Sequence, residues 1–179
     1  MIKIDLGCGK NKRKDGEWFG VDIIENEGID LVMDAREYLK TLSDGVVEEV
    51  NMCHFLEHLD GAERVDLFNE LYRVLNKNGK IYIVCPNWSH ERAYGDPTHK
   101  WPPVCTWTFF YLDKNWRDLN APHCGYTCDF DYSIMGVHDQ NDSWVSLRNQ
   151  ETKVILMSRN INTTTDIVVT LNKKEIKCN

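Results

Sequence analysis

The first residues with chemical potential form a short turn built on two glycines. The sequence Asp5-Leu6-Gly7-Cys8-Gly9 ends an alternating run, residues 2–6, that is typical of a short strand. Glycines at the end of a parallel strand let backbone N–H groups approach a ligand closely. The third glycine of the dinucleotide fingerprint is absent, and no obvious helix follows to receive a pyrophosphate. The turn therefore indicates a ligand site but disfavours NAD and FAD.

Two carboxylates follow the next two strand-like runs. Asp22 lies at the end of the run at 18–23, and Asp34 comes directly after the run at 29–33. The carboxyl ends of parallel strands meet at one edge of a sheet, so both should lie near the glycine turn. Asp22 can accept both hydroxyls of a ribose, and Asp34 can accept a hydrogen bond from an adenine amino group. Singly, each is better explained as a helix cap or turn residue. Because both carboxylates and the glycine turn lie at the ends of neighbouring strands, a shared site is favoured.

Ionisable residues also follow the fourth strand-like run, at 46–53. His54, Glu57 and His58 have the spacing H-x-x-E-H, which occurs in inverted zinc peptidases. This leaves a metal-dependent hydrolase using these three residues open as one alternative function. Because the group comes straight after a strand, Glu57 and His58 are better interpreted as structural residues that bond loops at the sheet edge.

A second set of metal-ligating residue types lies further along the chain and comprises Cys105, His123, Cys124 and Cys128. Its spacing is not a paired C-x-x-C, so a structural zinc is the weaker interpretation. The seven cysteines are odd in number and irregularly spaced, which favours free thiols over a disulfide framework. Cys178 is the last of them.

The elements that must position these residues alternate between strands and helices. A helix is predicted over 35–42, and a second starts near Asp60 and ends at a left-handed cap at Asn78-Gly79. A fifth strand is predicted over 80–85. Strands that alternate with helices through short connections predict an α/β fold with a mostly parallel sheet.

The second half of the chain has a different texture. Residues 87–128 are rich in Trp, His, Pro and Cys without a clean period, which predicts a substrate-binding flap or a segment completing the core. Four β-like runs, at 129–137, 143–149, 152–158 and 165–171, are expected to be antiparallel strands that close the sheet edge. The chain is thus predicted to be one domain, 1–179. It divides into a ligand-binding half (1–86), a flap (87–128) and closing strands (129–179).

Composition and charge restrict the partners. A chain of 179 residues with 42% hydrophobic residues can form one domain with a proper core. The net charge is −7, and the only basic run, Lys10 to Lys14, is interpreted as a solvated loop, so long nucleic acid is disfavoured as a partner. No apolar run is long enough to cross a bilayer and no signal segment is evident, so we expect a soluble, cytoplasmic protein without a membrane partner.

Taken together, the ordered segments resemble a known family. IDLGCGK, GVDI, LVMDAR, CHFLEHL and VLNKNGKIYIVCPN are similar to the successive motifs of class I S-adenosylmethionine-dependent methyltransferases, in particular a small bacterial and phage-borne branch with LEHL. The later GDPTHKW and TWTFFYL resemble a segment of several such proteins. The resemblance implies a Rossmann-like, seven-stranded sheet of order 3-2-1-4-5-7-6 with strand 7 antiparallel. It also implies S-adenosyl-L-methionine as cofactor, a small-molecule or sugar-like methyl acceptor, no metal, and a bacterial or host-cell cytoplasm.

The resemblance assigns residues to the methionine part of the cofactor. Gly7, Gly9 and the backbone of Cys8 would face it, and Asp5 would hold its amino group. One departure is that residues 10–17 are too short and polar for the usual first helix, which predicts an abbreviated helix and a more open pocket.

The nucleoside and the sulfonium are assigned in the same way. Asp22 would bind the ribose hydroxyls, Asp34 would contact the adenine amino group, and Ala35 would offer its backbone N–H to the ring. Cys53 and His54 would line the pocket near the methyl sulfonium. Cys53 stands where a serine is more usual, which puts a side-chain role for it in doubt.

Methyl transfer is an in-line displacement that needs a base only when the acceptor has a proton to lose. An imidazole is the natural choice, and we favour His99, then His54 and His90, with Asp96 as a partner. For His99 a loop-packing role is the competing interpretation. Four aromatics, Trp88, Tyr94, Trp101 and Trp107, form either a pocket for the methyl acceptor or the flap's own core. A binding-only protein that kept the fold but lost catalysis is the other alternative.

Overall fold

The computed structural model describes residues 1–139, 145 and 147–175, and its centre is a seven-stranded sheet. The strands are β1 (Ile2–Leu6), β2 (Phe19–Asp22), β3 (Leu31–Val32), β4 (Val47–Cys53), β5 (Leu75–Pro86), β6 (Phe130–Val137) and β7 (Asp166–Lys173). Their order is β3-β2-β1-β4-β5-β7-β6. Neighbours from β3 to β5 pair in parallel, and β7 is antiparallel to both β5 and β6. The predicted α/β fold and strand order are confirmed.

Helices connect the strands and cover the sheet. They are α1 (Ala35–Thr41), α2 (Gly61–Val74), α3 (Arg92–Gly95), α4 (Thr106–Phe110), α5 (Lys114–Asn120) and α6 (Gln150–Arg159). Helix α2 begins with a reciprocal capping box between Asp60 and Glu63, which satisfies the first free N–H groups of the helix. No helix among the described residues is long and apolar enough to cross a membrane.

The connection between β1 and β2 contains only a 3₁₀ turn, Gly9–Asn11, so the abbreviated first helix is confirmed. Other contacts hold this loop against the sheet. The buried Asp5 carboxylate accepts from the Arg13 backbone N–H at 2.7 Å, and the Arg13 guanidinium lies over the Trp18 ring at 4.6 Å. The Lys12 ammonium pairs with Asp30 at 2.8 Å. Part of the basic run is thus neutralised within the fold.

The predicted end of the second helix is wrong. Helix α2 ends at Val74, and Leu75 already has the extended conformation that starts β5. Gly79 lies inside β5 and does not have a positive φ. A Cβ at position 79 would lie 2.7 Å from Leu75 Cδ2, so the glycine here provides space and not a left-handed cap.

The strand predicted at 152–158 is also wrong, because these residues lie in α6. Asn149 caps this helix by accepting from the Thr152 backbone N–H at 2.9 Å. Its run of four apolar residues, 154–157, lacks the alternation of a half-buried strand. Of the run at 143–149, residues 143, 144 and 146 lie outside the described residues, and 145 and 147–149 are not in a strand. The strands predicted at 129–137 and 165–171 are confirmed as β6 and β7.

The core lies between the sheet and α2. The inward residues of β1, β4 and β5 are fully buried, as are four residues along one face of α2, namely Leu67, Phe68, Leu71 and Val74. Arg64 is buried beside them at 1% exposure. Its Nε donates to the Leu56 carbonyl at 3.2 Å and its Nη1 to the Pro102 carbonyl at 2.7 Å. Arg64 therefore joins the segment after β4 to the segment before α4.

Aromatic residues of the flap pack on one another. Phe110 stacks on Tyr132 of β6 at 5.6 Å between ring centroids, and Trp116 meets both Tyr111 and Trp107. This supports the interpretation that part of the flap completes the core. Residues 87–128 are not one irregular loop, since they contain α3, α4 and α5.

Candidate functional site

A cavity of about 480 Å³ lies at the edge of the sheet where the first four strands end. We call it the strand-edge cavity. Its wall includes Gly7 after β1, Asp22 at the end of β2, Asp34 and Ala35 after β3, and His54 after β4. These residues are separated in sequence and meet because their strands are adjacent and parallel. The predicted convergence at one edge is therefore observed for these five.

Gly7 is required by its surroundings as well as by its backbone. Its φ is +66°, and a Cβ there would lie 2.4 Å from Phe55 Cδ2. Because Gly7 has no side chain, the ring of Phe55, in the segment after β4, can pack closely against it. The Gly7 N–H donates to the Val21 carbonyl at 2.8 Å, which ties the turn to β2.

Asp22 organises the loops on both sides of it. Its Oδ2 accepts from the Gly9 N–H at 2.8 Å, and its Oδ1 accepts from the Ile24 N–H at 2.9 Å. Each carboxylate oxygen has a second lone pair, so both can still accept a hydroxyl from a ligand in the cavity. The turn-residue and ligand-binding interpretations of Asp22 are compatible.

Asp34 is the N-cap of α1 and also lines the cavity. Its Oδ1 accepts from the Arg36 backbone N–H at 2.8 Å and its Oδ2 from the Arg36 guanidinium at 3.2 Å. Burial acts to raise the pKa of Asp34, but these hydrogen bonds and the guanidinium charge outweigh it and lower that pKa. The Asp34 carboxylate in the wall of the strand-edge cavity is therefore favoured in its ionised form.

Four predicted cofactor contacts lie outside this wall: Asp5, Cys8, Gly9 and Cys53. Asp5 is 2% exposed and accepts from Asn51 Nδ2 and the Arg13 N–H, both at 2.7 Å. Burial raises the pKa of the Cys8 thiol to about 11, so this side chain is a neutral packing group. Asp5, Cys8 and Gly9 instead stabilise the conformation of the loop that contains Gly7. Cys53 is exposed at the end of β4.

A second cavity, of about 720 Å³, adjoins the first and shares His54 and His58 with it. We call it the histidine cavity. It brings together the three predicted catalytic residues, His54, Asp96 and His99. His99 Nε2 lies 3.9 Å from Asp96 Oδ2, and the His58 and His99 rings meet edge to face at 5.0 Å. Their catalytic roles stay predictions, but their proximity is observed.

His54 has an unusual backbone. Its φ is +55°, a conformation that costs a non-glycine residue about 1–3 kcal/mol. Its N–H donates to the Val84 carbonyl at 2.8 Å, and its Nδ1 lies 3.3 Å from Glu57 Oε1. The hydrogen bond to Glu57 is the largest cause of the raised pKa of His54. A strained residue at the junction of two cavities is typical of a functional position.

Sequence reasoning missed the contacts of Thr98 and Lys100, which line the strand-edge cavity and hold their segment against residues 57–63. Thr98 Oγ1 lies 3.1 Å from His58 Nδ1, and the Lys100 N–H donates to the Glu57 carbonyl at 2.9 Å. The Lys100 ammonium also pairs with Glu63 at 2.7 Å. Within GDPTHKW, only Asp96, His99 and Trp101 were singled out. No pattern in the sequence indicated that Thr98 and Lys100 would meet residues about forty positions earlier.

The four aromatics proposed as a pocket for the methyl acceptor do not gather in one place. Trp88 lines a further cavity of about 880 Å³, together with Phe110, Tyr132 and Met157. Tyr94, Trp101 and Trp107 are exposed and do not line it. Trp107 packs on the flap aromatics instead.

Metal-ligating residues converge at one place within the described part of the chain. Ligand atoms of Glu57, His58 and His99 all lie within 4.8 Å of one another. His54 is not a member of this group, so the H-x-x-E-H set does not converge as its spacing implied. Cys105, His123, Cys124 and Cys128 do not form such a group either. The six described cysteines are free, and Cys178 lies outside the described residues.

Comparison with known proteins gives information on the fold. No protein-family model and no curated protein sequence matches the chain. A SAM-dependent methyltransferase from Archaeoglobus fulgidus has 24% identity and a TM-score of 0.70, over 96% of this chain and 85% of that one. One from Methanosarcina mazei has 15% identity and a TM-score of 0.58, over 97% and 92%. The plantazolicin methyltransferase BamL, solved with SAH, has 12% identity and a TM-score of 0.54, over 97% and 77%. The chain thus has the Rossmann-like fold of these methyltransferases.

Proposed function

We propose that this chain is an S-adenosyl-L-methionine-dependent methyltransferase, in the general class EC 2.1.1.-, that acts on a small-molecule or sugar-like acceptor. The observation that carries the proposal is the strand-edge cavity. Four consecutive strands of the methyltransferase-type sheet end there with Gly7, Asp22, Asp34 and His54 in its wall. The cavity opens beside a second one that can hold a methyl acceptor.

The residues present fit this cofactor. The volume of about 480 Å³ lies in the range of small-molecule sites. Asp22 accepts the ribose hydroxyls, and Asp34 and Ala35 receive the adenine edge. Gly7 and the loop held by Asp5 and Gly9 leave room for the methionine part. When bound, the cofactor supplies an electrophilic methyl group on a sulfonium.

The protein's own part in the reaction is alignment and proton removal. A methyl acceptor in the histidine cavity is within reach of His54 and His99, two of the three candidate bases, whereas His90 is not in the wall of this cavity. His54 is in the walls of both cavities, so it is placed to contact both a bound cofactor and a methyl acceptor. An acceptor oxygen or nitrogen that loses its proton to such a ring is a better nucleophile toward the methyl carbon.

The chemistry of the surface supports a small acceptor over long nucleic acid. The net charge is −7, and Lys12 and Arg13 of the basic run are paired with acidic side chains. The free thiols suit a reducing compartment, so we place the protein in the cytoplasm, of a bacterium or of a phage-infected host. We also propose that the chain belongs to the small bacterial and phage-borne branch of methyltransferases with the LEHL motif.

Two other functions fit the observations less well. A catalytically inactive S-adenosylmethionine-binding protein would keep the strand-edge cavity but has no need for strained His54 at its junction with a second cavity. A hydrolase using His54, Glu57 and His58 would need a metal group that the structure does not assemble from those three.

Calorimetry with S-adenosylhomocysteine tests the cofactor site. Replacing Asp22 by Ala removes a charged acceptor of two ligand hydroxyls, so the Kd should rise by more than about tenfold. The matched control is Asp30→Ala, because Asp30 also accepts from a backbone N–H, that of Gly20 at 2.6 Å, but is not in the cavity wall. Asp30→Ala should bind as the parent does. Absence of binding at millimolar ligand would overturn the proposal.

A further inference from the structure

Glu57 has a buried oxygen with no partner. The side chain is 4% exposed and lines the histidine cavity. Its Oε1 lies 3.3 Å from His54 Nδ1, whereas its Oε2 is buried without a hydrogen-bond partner. Among the ion pairs of the described residues, none joins Glu57 to the buried Arg64. A carboxylate oxygen is costly to bury in this way unless a cation meets it.

His58 is held so that one particular nitrogen is free. The hydroxyl of Thr98 donates its one proton to Asp96 Oδ1 at 2.6 Å. The same oxygen lies 3.1 Å from His58 Nδ1 and can only accept there. His58 therefore carries its proton on Nδ1, and Nε2 keeps its lone pair.

His99 is held in the same state by a different partner. Its Nδ1 lies 3.3 Å from the Ala93 carbonyl, which can only accept, so Nδ1 carries the proton. Nε2 of His99 again keeps its lone pair, in a side chain that is 10% exposed. A ring N–H bound to a carbonyl, carboxylate or hydroxyl is the usual arrangement behind a metal-ligating histidine.

We propose that Glu57, His58 and His99 bind a divalent transition-metal ion, with zinc the best match. Their ligand atoms lie within 4.8 Å of one another, close enough to surround one ion after small side-chain rotations. Two neutral imidazoles and one carboxylate are a common set of three protein ligands for zinc, and such sites keep a coordination position open. That position faces the histidine cavity and takes water or an oxygen of a bound molecule.

The site differs from the one that the H-x-x-E-H spacing predicts. His99, forty-two residues beyond Glu57, replaces His54 as the third ligand. His54 instead contacts Oε1 of Glu57 through its Nδ1 and also lines the strand-edge cavity. The metal thus takes His99 out of the list of candidate bases and leaves His54 as the candidate base in the wall of the histidine cavity. The inference stands without methyl transfer, because it depends only on these side chains.

Metal titration tests it. The chelator-treated protein is titrated with Zn²⁺ by calorimetry, and Co²⁺ absorbance reports the ligand type, because thiolate ligands give an intense charge-transfer band that nitrogen and oxygen ligands lack. We expect one equivalent of Zn²⁺ and no thiolate band. Glu57→Gln keeps the shape but removes the charge, and His99→Ala removes a ligand, so both should weaken binding by more than about 100-fold.

The matched control is His123→Ala, which removes an exposed histidine outside the group and should bind as the parent does. Circular dichroism of each variant checks the fold. Absence of a stoichiometric equivalent, a thiolate band, or parental affinity in a folded His99→Ala would overturn the inference. Binding of S-adenosylhomocysteine is measured separately on the metal-free protein, so failure of the metal site and failure of the cofactor site are distinguishable.

Discussion

The two adjoining cavities are built in different ways. Most of the strand-edge cavity is formed by residues at or after the ends of β1 to β4, which the order of the sheet brings together, and Glu63, Thr98 and Lys100 complete its wall. The histidine cavity is formed by Pro86 at the end of β5 and by two segments, 54–58 and 91–99, of which the second follows no strand directly. Arg64, Thr98 and Lys100 hold those segments together. One cavity depends on the sheet, and the other depends on a few polar contacts, so they should be separable by mutation.

The largest expected effect comes from a substitution in the wall of the strand-edge cavity. Gly7→Ala places a Cβ against the Phe55 ring at a positive φ, and the free energy of unfolding should fall by about 3–5 kcal/mol. Gly28→Ala is the control, because its φ is +88° but nothing lies within 4 Å, and it should cost only about 1–2 kcal/mol. Urea unfolding measures both. Equal losses would show that backbone strain, not the contact with Phe55, decides the effect.

Removal of the buried arginine should damage the histidine cavity and spare its neighbour. Arg64→Met leaves the carbonyls of Leu56 and Pro102 without their donor, and we expect a loss of about 2–4 kcal/mol. Hydrogen exchange at 96–102 should accelerate, while affinity for S-adenosylhomocysteine stays near the parental value. Arg117→Met is the control, because Arg117 is also buried and donates to two carbonyls, those of Tyr111 and Cys128. It should destabilise without changing exchange at 96–102.

A smaller effect is expected from the residue that orients His58. Thr98→Val removes the hydroxyl between His58 and Asp96. The free energy of unfolding should fall by only about 1 kcal/mol, but the affinity for Zn²⁺ should fall roughly tenfold. Thr165→Val removes a hydroxyl that donates to the Val137 carbonyl, away from the cavity, and serves as the control. Unchanged zinc affinity in Thr98→Val would show that Thr98 does not orient the ligand.

The smallest effect concerns pH and the strand-edge cavity. The pKa of Asp34 is lowered in the folded protein, so its ionised form stabilises the fold fully above the unfolded value of 3.8 and progressively less below it. Asp34→Asn keeps a capping side chain and should lose about 0.5 kcal/mol at neutral pH. The difference between parent and variant should vanish as the pH falls below 3.8. Urea unfolding at several pH values measures it, and a difference that grows with acidity would contradict the assignment.

Prediction from sequence succeeded where an apolar run marks a strand and where successive parallel strands end at the same edge of the sheet. The strand ends near Gly7, Asp22 and Asp34 were located correctly because short apolar runs there stop at turn-forming or acidic residues. It failed at 152–158 and at Gly79, where short apolar or glycine-containing segments are compatible with both helix and strand. There the choice depends on neighbours that are distant in sequence, such as the Leu75 side chain against Gly79.

By itself, the sequence determined the α/β class and the carboxylates at the sheet edge, because apolar periodicity and strand-end chemistry are local properties, whereas the strand order was expected only from the family resemblance. Only the tertiary structure decided that Asp5, Cys8 and Gly9 shape a loop while Gly7 faces a cavity. It also decided that His99 joins Glu57 and His58 and that His54 stands between two cavities. Those choices depend on which groups are buried without partners and which nitrogen of each imidazole is already bonded, and a linear spacing contains neither.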